Sequence, residues 1–119
     1  MKRFNYKQYK DCYFIVSTYA ANKNALAISI ENEKEGPITT CTVYLTDGLY
    51  TENTAIIKNY SENSGMTKFL QELGIVIEIF DRRPCNALVA NTLNSSNPQT
   101  CDTCFIDKEK LKEYTKKWY

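Results

Sequence analysis

A strand, a polar loop and an amphipathic helix are predicted in direct succession between residues 55 and 74. Four apolar residues recur at the i, i+3, i+4 and i+7 spacing of one helix face: Met66, Phe69, Leu70 and Leu73. Asn63 or Ser64 can cap the first turn, and Gly74 can end the helix in a left-handed conformation. Because only one face of this helix is apolar, it must pack against other elements, which constrains every fold open to the chain.

Apolar segments rich in β-branched and aromatic residues predict strands on both sides of that helix. They lie at residues 12–19, 25–31, 38–46, 54–59 and 75–80, with a weaker candidate at 86–93. The polar run 32–37 predicts a hairpin between the second and third strands, and Asp47-Gly48 marks the next turn. In the fifth strand, alternation places Ile75, Ile77 and Ile79 on one face.

A second helix is predicted at the C-terminal end of the sequence. Asp107 is a suitable N-cap, and Ile106 and Leu111 have the spacing of a hydrophobic staple. The helix then presents an apolar stripe made of Leu111, Tyr114 and Trp118. Glu113 and Lys117 have the spacing of a favourable i,i+4 ion pair.

This order of strands and helices is typical of the α+β class. We predict a curved antiparallel sheet of about five to six strands, packed against one short helix, with a further helix at the C-terminal end. The length of 119 residues corresponds to a single domain, and neither a linker nor a repeat divides residues 1–119.

The charge balance excludes a strong general attraction to nucleic acids or membranes. The net charge is +1, and 43% hydrophobic and 24% charged residues are ordinary for a globular protein. No segment approaches the ~20 apolar residues of a membrane span, and no apolar run typical of a signal peptide follows the basic N-terminal residues. We therefore expect a cytoplasmic protein without a membrane partner.

The absence of histidine removes the commonest catalytic base and the triads built on it. Five cysteines are an odd number, so a full disulfide framework is not expected in a reducing compartment. Cys101 and Cys104, in a predicted loop, have a C-x-x-C spacing that can bind metal or cycle through a disulfide. A zinc or redox protein is therefore one alternative, although we predict neither a cofactor nor an enzyme.

A small nucleic-acid-binding protein is a second alternative. Basic residues alternate with aromatic ones near the N-terminus, a combination that can bind phosphates and stack on bases. The candidate residues are Lys2, Arg3, Tyr6 and Lys7, together with Arg82 and Arg83. Lysines of the predicted C-terminal helix would extend this surface.

Residues 56–66 read Ile-Ile-Lys-Asn-Tyr-Ser-Glu-Asn-Ser-Gly-Met, and Phe69-Leu70 and Gly74-Ile75-Val76 follow. In this pattern the chain resembles a family of unknown function, whose members are small proteins of phages, plasmids and integrative elements, mostly from low-GC bacteria. The match spans roughly residues 12–80, and the sequence departs from the family beyond Arg83. Because the family has no assigned active site, the resemblance transfers no functional residue.

The resemblance implies a protein that binds a host macromolecule, since small proteins of mobile elements often inhibit a defence enzyme such as a CRISPR effector. We expect a non-enzymatic protein that binds a host protein or protein–nucleic-acid complex, with an anti-CRISPR inhibitor as a specific form. Candidate contact residues lie in the polar loop and turns: Glu33, Glu35, Asp47, Glu52, Tyr60, Glu62 and Asn63. Their carboxylates can meet a basic nucleic-acid channel on the partner. The sequence indicates no oligomeric state.

Overall fold

The computed structural model describes residues 1–85 and 98–119, in which strands predominate over short helices. The strands are β1 (Phe4–Tyr6), β2 (Tyr9–Tyr19), β3 (Asn22–Asn32), β4 (Gly36–Thr40), β5 (Thr54–Asn59), β6 (Val76–Pro84), β7 (Thr100–Ile106) and β8 (Thr115–Trp118). Helix α1 spans Met66–Glu72, helix α2 spans Lys108–Glu113, and a 3-10 turn covers Ser61–Asn63. Neither helix in these ranges has the length or apolar composition needed to cross a membrane. The weaker strand predicted at 86–93 lies outside the described residues.

The larger sheet contains five strands, in the order β1-β2-β3-β4, with β8 also paired to β2. The predicted hairpin is confirmed, since β3 and β4 are antiparallel and Asn32 stands opposite Gly36. Alternation along β2 and β3 turns one set of side chains inward, and its fully buried members are Cys12, Phe14, Val16, Ile28 and Ile30. This inner face forms one wall of the core.

A second antiparallel sheet is formed by β5, β7 and β6 in that order, so the prediction of a single curved sheet is wrong. The division arises because the strand predicted at 38–46 pairs with β3 only as far as Thr40. Beyond that point, Thr42 forms an isolated bridge with Ile57 of β5. Next to this bridge, the Lys58 N–H donates to the Cys41 carbonyl at 2.8 Å. The sheets are thus joined by backbone hydrogen bonds, and residues of both contribute to one hydrophobic core.

Helix α1 packs its apolar face into this core, as the sequence pattern predicts. Met66 and Leu70 are fully buried, and the ring of Phe69 lies 5.6 Å from that of Phe4 on the larger sheet. Gly74 follows the helix at a φ of 80°, which confirms the predicted left-handed residue at this end. The helix therefore bridges the two sheets on their inner side.

The start of α1 differs from the prediction. Neither Asn63 nor Ser64 caps the helix, because Gly65 occupies the cap position at a φ of 89° and has no side chain to accept a hydrogen bond. Instead, the side-chain oxygen of Asn59 accepts the Thr67 N–H at 3.0 Å. The cap is thus supplied by the preceding strand β5 rather than by the loop.

The predicted start of the C-terminal helix is confirmed, but its length is not. Asp107 is the N-cap of α2, and its carboxylate accepts the Lys110 N–H at 3.0 Å. Leu111 is fully buried, as predicted for the apolar stripe. The helix ends at Glu113, however, and Trp118 lies in strand β8. The stripe from Leu111 to Trp118 is therefore not a continuous helical face.

Strand β8 forms because part of the β2 edge is open. β1 pairs with β2 only as far as Cys12, so the next backbone groups of β2 need another partner. Phe14 donates its N–H to the Tyr114 carbonyl, and Tyr119 donates to the Val16 carbonyl, both at 2.8 Å. This parallel pairing replaces the last predicted helical turn.

The same rearrangement changes the ion pair predicted for this segment. Glu113 does not pair with Lys117, which β8 carries away from α2. Its carboxylate instead lies 2.7 Å from the Lys2 ammonium group.

Candidate functional site

Three large apolar side chains are exposed together on the outer face of the smaller sheet, and we call them the apolar face: Ile77, Phe80 and Phe105. Their exposed fractions are 64%, 38% and 39%. The ring centroids of Phe80 and Phe105 lie 4.7 Å apart, and Ile77 and Phe105 line the same groove. Such clustering is notable because isolated exposed apolar residues are ordinary, whereas contiguous ones mark interaction sites.

Two β-bulges in β6 produce this exposure. The pairing with β7 shifts register at Ile77 and again at Phe80, so the alternation of a regular strand is lost there. The prediction that Ile77 shares a face with Ile75 and Ile79 is therefore wrong. Ile75 is fully buried and Ile79 packs against the core, while the first bulge turns Ile77 toward solvent.

The neighbouring part of the same outer face is covered by the irregular segment 41–53. Ile56 is only 1% exposed there. Gly48 packs so closely on it that an added Cβ atom would lie 2.6 Å from the Cδ1 atom of Ile56. The segment is also held by Asp47, whose carboxylate lies 2.9 Å from the guanidinium of Arg83 on β6. The apolar face is thus the portion of this sheet surface that the segment leaves uncovered.

Several of the predicted acidic contact residues are already paired with basic side chains. The ion pairs are Glu33 with Lys116 at 2.7 Å, Asp47 with Arg83 at 2.9 Å and Glu62 with Lys58 at 2.6 Å. These hydrogen bonds lower the pKa of each carboxyl group, to about 2 for Glu62. Each of these carboxylates is already paired with a Lys or Arg side chain of the same protein, so it is a weak candidate for attracting a basic partner.

The structure also does not gather the predicted acidic residues into one surface. Glu33 and Glu35 line a pocket at the β3–β4 turn, whereas Glu52 lines the groove beside the apolar face. Glu35 and Glu52 are exposed and make no ion pair within the described ranges. Of the predicted contacts, Glu52 is therefore the one that adjoins the exposed apolar cluster.

Asn63, predicted as a contact residue, is fully buried and has a structural role. Its side-chain oxygen accepts the Thr39 hydroxyl, and its amide group donates to the Thr40 carbonyl, both at 2.6 Å. It thus ties the polar loop to β4. Tyr60, in the same loop, is half-buried, with the Lys58 ammonium 5.3 Å from its ring centroid.

The basic residues predicted to contact nucleic acid at the N-terminus are largely engaged within the protein. Lys2 pairs with Glu113, and Lys7 donates to the Glu62 carbonyl at 2.5 Å. Arg3 lies with its guanidinium 5.2 Å from the Tyr13 ring centroid. The prediction that Tyr6 can stack on a base is wrong, because its side chain is packed into the core and only 5% exposed.

Arg82 and Arg83 are likewise paired, in two different environments. Arg83 forms the exposed pair with Asp47 described above. Arg82 binds Asp102, which is fully buried and also accepts the Thr67 hydroxyl at 2.7 Å. A buried carboxylate needs such partners, so Arg82 is committed to the fold rather than to a phosphate.

Cys101 and Cys104 lie in β7, not in the predicted loop. Residues three apart in a strand point to opposite faces of the sheet, which prevents both thiols from reaching one metal ion. Burial raises the pKa of both thiols, to about 12 for Cys104. Within the part of the chain that the structure describes, no cluster of three or more His, Cys, Asp or Glu side chains could hold a metal. This geometry offers no support for the zinc or redox alternative.

A groove of about 670 Å³ runs beside the apolar face, between β6 and α2. We call it the β6–α2 groove, and its lining includes Ile77, Phe105, Glu52, Glu78 and Lys108. Apolar side chains therefore lie next to carboxylates that face solvent.

The apolar face is the feature that reading the sequence missed. A signal was present, because Ile79-Phe80 and Phe105-Ile106 are adjacent pairs of large apolar residues within strands. Adjacent residues of a strand point to opposite sides, so one member of each pair must face away from the core. Which side would be exposed depends on the covering segment 41–53, whose position the local pattern does not reveal.

Comparisons with known proteins identify no relative of this chain. No protein-family model matches it, and neither a curated protein nor a solved structure matches it significantly. The resemblance to the family of mobile-element proteins therefore stays a prediction.

Proposed function

We propose that this chain is a non-enzymatic protein that acts by binding a host macromolecule through the apolar face. The observation that carries the proposal is the adjacent exposure of Ile77, Phe80 and Phe105 on one sheet surface. Large apolar and aromatic side chains of this kind are the usual anchors of protein–protein interfaces. The partner is therefore a protein, alone or within a protein–nucleic-acid complex.

Direct nucleic-acid binding is the weaker candidate. The cations that nucleic-acid binding would require, among them Lys2, Arg82 and Arg83, already form ion pairs with carboxylates of the same chain. Phosphate binding would have to break these pairs, which reduces the gain from counterion release.

The family resemblance suggests the setting in which such binding would occur. A small protein of a phage or plasmid would act in the cytoplasm of its bacterial host. Inhibition of bacterial immunity, in the manner of an anti-CRISPR protein, is the form of the proposal to test first.

A capture experiment with matched variants tests the proposal. The tagged protein is incubated with lysate of a low-GC bacterium, with and without nuclease, and retained proteins are quantified by mass spectrometry. The test variant carries Phe80→Ser and Phe105→Ser. The control variant carries Tyr119→Ser, since this side chain is 71% exposed and lies beside the larger sheet.

We expect one host protein to be retained in stoichiometric amount by the wild-type and control proteins, with or without nuclease. The test variant should lose it while keeping the wild-type circular dichroism spectrum. Equal retention by the test variant would refute the role of the apolar face. Loss of the partner on nuclease treatment would favour the nucleic-acid candidate instead.

A further inference from the structure

We propose that the β6–α2 groove binds a basic segment of the partner protein. An apolar side chain of that segment would lie on Ile77 and Phe105, and its Lys or Arg residues would pair with Glu52 and Glu78. This inference rests on the proposed function and specifies the chemistry of the partner.

The groove has the size and the apolar floor that a peptide side chain requires. Its volume of about 670 Å³ lies within the range of about 300–1,000 Å³ that is typical of ligand pockets. Ile77, at 64% exposure, and Phe105, at 39%, supply apolar surface that remains in contact with water. Covering this surface with an apolar side chain would be favourable in proportion to the area removed from water.

The charges around the groove favour a basic partner. Four carboxylates line it, from Glu52, Glu78, Asp107 and Glu109, against the two ammonium groups of Lys108 and Lys112. Lys112 is satisfied by Glu109, whose carboxylate lies 3.3 Å from its ammonium group.

Two of the carboxylates are left for a partner to neutralise. Asp107 already accepts the Lys110 N–H as the cap of α2. Glu52 and Glu78 are exposed and, like Lys108, make no ion pair with any described residue, so carboxylates remain in excess in the groove. A segment with Lys or Arg beside an apolar residue complements this pattern.

The same strand geometry indicates how the segment would bind. β6 is an edge strand, since β7 is its only neighbour within the described sheet. Its two bulges and Pro84 interrupt the regular row of backbone groups that strand addition needs. We therefore expect contacts through side chains rather than an added strand.

Two other occupants fit the charges less well. A second copy of this chain, related by a two-fold axis, would place the acidic groove against itself. A nucleic acid would bring phosphates toward Glu52 and Glu78, which repel them. Both occupants are nevertheless distinguishable outcomes of the experiment below.

The test uses a phage-displayed library of random twelve-residue peptides, selected on the immobilised protein. The groove variant carries Glu52→Gln and Glu78→Gln. The matched control carries Glu35→Gln and Glu72→Gln, which changes the net charge equally away from the groove. Enriched peptides are synthesised, and their affinities for the three proteins are compared by fluorescence anisotropy.

We expect enriched peptides to carry at least two Lys or Arg residues beside a large apolar residue. Their affinity should fall at least ten-fold in the groove variant, stay unchanged in the control and weaken as salt concentration rises. The inference is overturned if no peptide is enriched, if the enriched peptides are not basic, or if the groove variant binds them normally.

Two further measurements assign the groove to the other occupants. If analytical ultracentrifugation shows that the wild-type protein is a dimer and that the Phe105→Ser variant is a monomer, the groove would be assigned to a second copy. If the wild-type protein binds a fluorescent oligonucleotide and the groove variant binds it more tightly or not at all, the groove would be assigned to nucleic acid. Either result would overturn the inference. If a host protein is still captured through Phe80 and Phe105 while no basic peptide binds, the proposed function stands and only this inference fails.

Discussion

Arg82 of β6 and Asp102 of β7 form a bidentate ion pair between the two strands. The Nε and Nη2 atoms of Arg82 lie 2.9 Å and 2.8 Å from the two carboxylate oxygens of Asp102. Thr67 of helix α1 donates its hydroxyl to the same carboxylate, so the pair also holds the helix against the sheet. Because Asp102 is fully buried, these donors replace the water that its charge would otherwise bind.

Replacement of Arg82 by alanine should strongly destabilise the protein. It leaves a buried carboxylate with one hydroxyl donor, a change that typically costs about 3–5 kcal/mol. Arg83→Ala is the matched control, because its partner Asp47 is exposed and its loss should barely change the urea midpoint. Urea unfolding of both variants, followed by circular dichroism, measures the difference. Equal midpoints for the two variants would contradict the proposed role of Arg82.

Asn63→Ala should lower the free energy of unfolding by about 2 kcal/mol, because it removes two hydrogen bonds and leaves the Thr40 carbonyl without this donor. Asn24, which is exposed, provides the control substitution Asn24→Ala with little expected effect. Urea unfolding again provides the measurement. A variant of Asn63 that kept full stability but lost partner binding would instead restore it as a contact residue.

Short-range patterns in the sequence predicted those features of the fold that nearby residues along the chain determine. The cap at Asp107 and the buried face of α1 at Met66 and Leu70 follow from short-range spacing, and both are confirmed. Strand β8 was missed because its formation depends on the open β2 edge near Phe14, far away in the sequence. The residues around Trp118 satisfy a helical pattern locally, so only the tertiary partner decides between helix and strand.

The structural roles of several predicted contact residues escaped sequence analysis for a related reason. Polar residues such as Asn63 and Glu62 were expected to face a partner, yet the fold uses them to hold its own loop. Ile77 and Phe80 were expected to follow regular alternation, and bulges are not visible in a single sequence. The exposure of a side chain therefore depended on pairing details beyond the range of local patterns.

The Glu62–Lys58 pair should contribute to the acid dependence of stability. Its hydrogen bond with Lys58 lowers the pKa of Glu62 from 4.5 to about 2 in the folded protein. As the pH falls, Glu62 therefore binds a proton in the unfolded chain before it does so in the folded protein. The contribution of the ion pair to the free energy of unfolding is complete above pH 4.5 and is lost as the pH falls to about 2. Because the pair is exposed, Glu62→Gln should lower the urea midpoint only slightly at neutral pH and match the wild-type midpoint near pH 2.

The exposed Glu72, which makes no ion pair within the described ranges, provides the control substitution. Glu72→Gln should leave the urea midpoint at neutral pH unchanged, because it breaks no ion pair. A constant difference between Glu62→Gln and wild type down to about pH 2 would show that the carboxylate acts through packing rather than ionisation.

Thiol labelling should separate one cysteine from the others. Cys85 is half-buried, whereas Cys12, Cys41, Cys101 and Cys104 are buried, and burial raises the pKa of Cys104 to about 12. Because the thiolate is the reactive form, Ellman's reagent at about pH 8 should modify Cys85 first and the others only in urea. Cys85→Ser should abolish the fast phase. Rapid labelling of two thiols in the native protein would contradict the burial of one of the other four cysteines.

The parallel pairing of β8 with β2 makes the completion of the larger sheet depend on a segment that is synthesised long after β2. Phe14 and Thr115 are neighbours in the sheet, although nearly the whole chain separates them. While the ribosome still holds residues 115–118, one edge of β2 has no partner and can pair with another nascent strand. The larger sheet therefore closes only after residues 115–118 have left the ribosome, and crowded polysomes are the place where β2 is most exposed to misassembly.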